Sequence, residues 1–226
     1  MSTLTQIITT VRTKLDDLHT PYGWSNEFLT TLLNETVNEI VAKARLIEDA
    51  STAAICTHAL LANGYALTLS PRIVGITRVE LASTGALLQI FDDVRELDYY
   101  SSGWKTAASS VPRFLVKGGL GTNVGRVWPA TLLADSILLT VTRLPLVDMV
   151  WATDQALSPE IEELYHDKLQ LGIIARAYEK ADSDTENQNK ASEYREKWVK
   201  AMDEIMLEQT HKASVFQTGI PHPGWM

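Results

Sequence analysis

Cysteine is all but absent from this chain. Cys56 is the single thiol in 226 residues, so no internal disulfide can form. Its place in the apolar stretch 55–62 marks it as a buried, unreactive side chain rather than a nucleophile. No Cys/His cluster has the spacing of a zinc site, and the five histidines are scattered without a partnered Ser or Cys. Long apolar runs are missing too, which excludes a helix that crosses a bilayer. The residues from Met1 onward are polar and helix-periodic rather than signal-like, so the expectation is a chain that folds in a cytoplasm and has no membrane partner. Positive charge is in deficit: the net charge is −8 and the pI near 5.1. Such a surface repels a phosphate backbone, which argues against specific or tight binding of DNA.

Apolar residues, at 45%, are plentiful enough for a sizeable core. Leu4, Ile7, Ile8, Val11, Leu15 and Leu18 form one stripe at helical spacing and predict a first helix over 4–18. Ser25 predicts an N-cap, with Trp24 stapled to Leu29, for a second helix running to about Leu46. Between 55 and 144 the pattern changes to short β-branched and aromatic segments (65–69, 73–81, 87–90, 114–117, 125–128 and 137–144) divided by turn residues. Strands this short predict an antiparallel sandwich or barrel-like insertion rather than a parallel sheet. Helix returns where Ser158 and Pro159 read as N-cap and first helical residue, with Glu160, Glu162 and Glu163 at the positive end of the dipole. This helix is expected to run to about 181. Thr185 with Gln188 predicts a capping box for a last helix reaching Lys212.

The expected fold class is therefore α+β: an N-terminal helical hairpin (1–50) and C-terminal long helices (151–212) make a helical body, with the β-rich domain (51–150) inserted between them. Residues 213–226 are expected to form an extended tail. Gly219, Pro221, Pro223 and Gly224 oppose a helix there, while Val215, Phe216, Ile220 and Trp225 are large and apolar. Solvated tails are usually polar, so this one reads as built to lie against a partner.

Residue patterns that carry chemistry are weak. Glu163, His166 and Asp167 hold half of a carboxylate-bridged di-iron pattern without its second copy, and read better as a solvated polar face. Asp182, Asp184 and Glu186 lack the glycine and terminal glutamate of a calcium loop. Gly118, Gly119, Gly121 and Gly125 lead into Arg126-Val127-Trp128-Pro129, a strand rather than a phosphate-binding helix, so a hairpin turn is expected. There is no G-x-S-x-G elbow. Trp104 and Trp128 could stack sugar rings or serve as interface anchors. The expectation is no enzyme and no cofactor or metal.

The order of elements, read with local motifs, resembles the head-to-tail adaptor proteins of short-tailed bacteriophages. The motifs are Leu4-Thr5-Gln6-Ile7-Ile8, Trp24-Ser25, Leu33-Asn34-Glu35, Tyr65-Ala66-Leu67, Arg72-Ile73-Val74-Gly75-Ile76, Val111-Pro112-Arg113-Phe114, Arg143-Leu144-Pro145, Leu157-Ser158-Pro159-Glu160 and Arg176-Ala177-Tyr178-Glu179-Lys180. The resemblance spans about Leu4 to Trp198. It implies a structural virion protein, assembled in the host cytoplasm, that forms a homo-oligomeric ring of about twelve copies under the portal protein. Such a ring extends the DNA channel, lets double-stranded DNA pass without specific binding, and offers a surface to a tail (nozzle or hub) protein. A virion-associated peptidoglycan hydrolase is the alternative, since some relatives are credited with cell-wall cleavage. The apolar tail matches the family's portal-reaching extension, which makes Phe216, Ile220 and Trp225 the candidate portal-docking residues. Tyr194, Trp198, Met202 and Ile205, on one face of the last helix, are candidates for inter-subunit contact, or for plain packing on the 159–181 helix.

Overall fold

The computed structural model describes residues 2–104, 108–118, 121–180 and 187–218, without the side chains of 213–218. The chain divides into two units: Met1–Ile47 with Pro145–Met226, and Glu48–Leu144. The fold is α+β, with helices at both ends of the chain and two small sheets between them.

In the first unit, α1 (Leu4–Leu15) is closed by a capping box between Thr3 and Gln6 and ends where Asp16 turns left-handed at φ 58°. Leu18 falls beyond that stop and is exposed, so the helix is one turn shorter than the apolar stripe suggested. The turn is held by a buried ion pair between Arg12 and Asp17. Arg12 also donates to the Trp24 carbonyl, and Asp17 accepts from the Gly23 amide. Helix α2 (Asn26–Ala44) starts at Ser25, whose Oγ accepts from the Phe28 amide at 3.1 Å, and stops at left-handed Arg45. After the second crossing of the chain comes one helical turn, α5 (Trp151–Asp154), then a 3₁₀ turn (Glu163–Tyr165) leading into α6 (His166–Tyr178).

The expected helix start at Ser158 and Pro159 is corrected here, because Glu160 is used elsewhere. Its carboxylate accepts the Leu146 amide at 2.8 Å, and the Ile161 amide turns back onto the Pro159 carbonyl. The last helix, α7 (Gln188–Thr218), is capped by Asn187, whose Oδ1 accepts from the Lys190 amide at 3.0 Å. Thr185 of the expected capping box lies outside the described residues. Helix α6 is the hub, with α1, α2 and α7 all packing on it. At Gly172 an added methyl would meet Thr36 at 2.6 Å and the Trp198 ring at 3.1 Å, so glycine sets how closely the three helices approach.

The second unit contains two four-stranded sheets. In the first sheet, β8 (Asp135–Arg143) is central. Both β1 (Glu48–Asp49) and β2 (Thr57–Leu60) pair with it, β4 (Ile73–Leu81) pairs with it too, and all of these pairings are antiparallel. The single turn α3 (Ala53–Cys56) links β1 to β2. The second sheet runs β3 (Ala66–Thr68), β7 (Val124–Trp128), β6 (Phe114–Val116), β5 (Gln89–Phe91). Its β5–β6 pair is parallel, which corrects the all-antiparallel expectation. The chain between those strands carries α4 (Val94–Tyr100) and crosses back, as a parallel pair requires.

Alternation along the strands then explains three layers. Leu67, Leu115 and Val127 face a shared core with Ile76, Val79, Ile137, Leu139 and Val141 of the first sheet. Phe114, Val116 and Trp128 face the other way, against Leu97 of α4 and Trp104. At Gly118 a methyl would lie 2.1 Å from the Asp92 carbonyl, so only glycine fits where β6 enters its turn. No described helix is long and apolar enough to cross a membrane.

Candidate docking surfaces

Helix α7 was expected to offer Tyr194, Trp198, Met202 and Ile205 to a neighbour. Three of these are instead consumed inside the chain. Trp198, Met202 and Ile205 are buried, and Trp198 donates Nε1 to Glu39 Oε2 at 3.0 Å. Packing on α6 is therefore their role, and the inter-subunit assignment is corrected for them. Tyr194 is half-buried, its ring tilted against Tyr178 at 6.2 Å. The large apolar residues of α7 that are exposed among the described ones are Val199, Met206 and Leu207.

Glu39 is the centre of an ionic knot joining α2, α6 and α7. Its carboxylate accepts from Arg176 Nη2 at 2.6 Å and from Lys43 at 2.8 Å, besides Trp198. Burial alone would raise its pKa, but the hydrogen bonds from Lys43, Trp198 and Arg176 outweigh burial and lower it to about 2. Towards its C-terminus α7 is tethered by Gln209 to the Tyr165 hydroxyl (2.9 Å) and by Lys212 to Glu162 (3.3 Å). The helix then continues to Thr218, past the Ala213 boundary at which an extended tail was expected. Phe216 therefore sits on helical backbone, while Ile220 and Trp225 lie outside the described residues.

The second unit exposes leucines where its loops meet. The Asn63 amide donates to the Thr131 carbonyl at 2.7 Å, Thr131 donates back to Gly64, and Ser110 donates to Ala130. Around these bonds Leu61, Val111, Leu132 and Leu133 stand in solvent. No charged residue occurs in 59–65, 108–112 or 127–134. On α4, Tyr99 is 96% exposed.

The candidate chemistry does not assemble. His166 is buried, not on a solvated face; its Nε2 lies 3.3 Å from the Ile161 carbonyl, and its Nδ1 has no partner among the described residues. No three His, Cys, Asp or Glu side chains among the described residues are grouped to hold a metal. Asp182, Asp184 and Glu186 lie outside those residues. Trp104 is buried and donates to Asp98, and Trp128 stacks on Phe114 at 5.4 Å and donates to the Trp104 carbonyl. Both rings serve the unit's outer core. Cys56 is buried, and burial, with Asp49 next to it, raises its thiol pKa, so it stays an inert thiol.

The described residues thus present a helical unit interrupted by a β unit with exposed apolar loops. The chain matches the family model "SU10 adaptor protein" over residues 2–219 and belongs to that family of phage head-to-tail adaptors. This is a family of structural proteins rather than enzymes. Membership implies a place in the virion and contact with portal or tail components. No curated protein matches the chain.

Proposed function

We propose that copies of this chain close into a ring beneath the portal, extend the DNA channel, and carry the attachment surface for a nozzle or hub protein. Family membership over nearly the whole chain is the observation that carries this reading. The resemblance puts the copy number at about twelve. The acidic balance, −8, suits a wall that DNA passes without adhering. The exposed leucines of the second unit supply the kind of apolar surface a protein partner covers.

Portal docking belongs to the end of the chain. Helix α7 runs on past the Lys212–Glu162 tether, and the apolar residues of the C-terminal segment follow that tether in sequence. In this reading Phe216, Ile220 and Trp225 insert into portal pockets, as buried aromatic and aliphatic anchors do at protein interfaces. The test is native mass spectrometry of the full chain with and without portal, repeated with the triple variant F216A/I220A/W225A and with residues 213–226 deleted. The wild-type chain assembles on the portal, and both variants keep their fold but lose docking. Normal docking by the deletion variant removes the tail from the mechanism, and no complex with wild type removes the portal reading altogether.

A further inference from the structure

Two surfaces of the chain complement each other, and the residues that would meet, Glu96 and Tyr99 on one and Arg45 on the other, make no side-chain bond or ion pair with a described residue. The first is the outer face of α4. Glu96 and Tyr99 lie three residues apart on one side of this helix, both exposed. Neither makes a side-chain bond to a described residue. They stand in or beside the acidic run Asp92-Asp93-Val94-Arg95-Glu96-Leu97-Asp98, where only Leu97 is buried.

The second surface is an open groove of about 400 Å³ where the end of α2 meets α7, lined by Lys43, Ala44, Arg45, Met206, Gln209 and Thr210. Its cations stand out in an acidic chain. Lys43 is tied to Glu39 at 2.8 Å, but Arg45, exposed and fixed by its left-handed helix-stop backbone (φ 52°), makes no ion pair with a described residue. Met206, 40% exposed, gives the groove a soft apolar wall, with Leu207 exposed next to it. An arginine without an ion pair to a described residue and an exposed methionine in one groove suit a ligand that is aromatic and acidic at once.

We propose that α4 of one copy docks in this groove of the next, with Tyr99 against Met206 and Glu96 paired with Arg45. The proposal rests on the ring reading above and names the contact that closes it. A ring needs two different complementary patches on each copy, and these two lie on different units of the chain and carry opposite charge. Two copies of net charge −8 repel on average, so the approach must be steered by a local exception such as Arg45.

Charge reversal tests the pairing in the full chain on its portal. E96K alone and R45E alone place like charges at every interface, and each should need at least a tenfold higher concentration than wild type to form rings by native mass spectrometry. An equimolar mixture of the two single variants should recover assembly. In alternating copies, the lysine of E96K meets the glutamate of R45E at one contact, and the native Glu96 meets the native Arg45 at the next. The double variant should recover assembly as well, whereas Y99S should weaken rings with no rescue from either. Recovery on mixing also shows that the single variants are folded. The contact is overturned if the single variants assemble like wild type, if mixing fails to rescue them, or if they form rings and lose only a portal or tail protein. Failure of wild type to form any ring instead overturns the ring reading, and this contact with it.

Discussion

Glu39 shows how much one side chain can organise. It collects Arg176 from α6, Trp198 from α7 and Lys43 from its own helix. Its ordinary pKa of 4.5 falls to about 2 in the folded chain. A depressed carboxylate contributes stability that is fully present above 4.5 and is lost as pH falls through 2. The difference corresponds to on the order of 3 kcal/mol. Thermal melts between pH 6 and 2 should therefore show wild type losing stability across that window. E39Q should start lower at neutral pH and change less over the same range. Equal pH slopes for the two proteins would remove Glu39 as the acid-sensitive group of the helical unit.

At the scale of elements, the two crossings into the β unit are fastened together. Strand β1 pairs with β8 in the register Glu48↔Thr142 and Asp49↔Val141. Over this pairing Arg143 Nε donates to Asp49 Oδ2 at 2.6 Å, with both side chains buried. Burial raises the Asp49 pKa, but bonds from Thr52, Arg143 and Ser51 hold it far below the usual carboxylate range. Removing one partner of such a pair leaves the other charge buried alone, which costs about 3–5 kcal/mol. D49A should lower the unfolding free energy by that much in denaturant titrations, and replacing both residues by apolar ones should recover part of it. A loss under about 1 kcal/mol in D49A would show that Arg143 finds other acceptors.

At the scale of the whole chain, that pairing makes the β unit an insertion whose two ends lie side by side. Residues 48–144 have their own core, drawn from both sheets and covered on the outside by α4 and Trp104. A unit with its own core can fold alone. Residues 48–144 expressed separately should melt cooperatively with a β-rich circular dichroism spectrum. A chain joining Ile47 to Pro145 through a short glycine–serine linker should stay helical, because α1, α2 and α7 all pack on α6 without the insertion. Non-cooperative melting of either piece would show that each unit borrows stability from the other.

Much of this organisation follows from local pattern. The stripe on α1, the Ser25 cap, the long strands 73–81 and 137–144, and the helix–β–helix order are all set by neighbours in the sequence, since periodicity and capping act over three or four residues. Strands β1 and β2 and helix α4 left too little pattern to read, because two charged residues or one buried leucine make no period. The sequence could likewise not decide between neighbour and self for the apolar face of α7: Trp198 is buried within this chain against Gly172, a position far away in sequence where a methyl would lie 3.1 Å from its ring. Nor could it pair Glu39 with Arg176, or Asp49 with Arg143. The absence of enzyme motifs was legible from composition, spacing and motif; which apolar and charged residues remain free for partners was decided by the tertiary structure, because burial depends on contacts between segments distant in sequence.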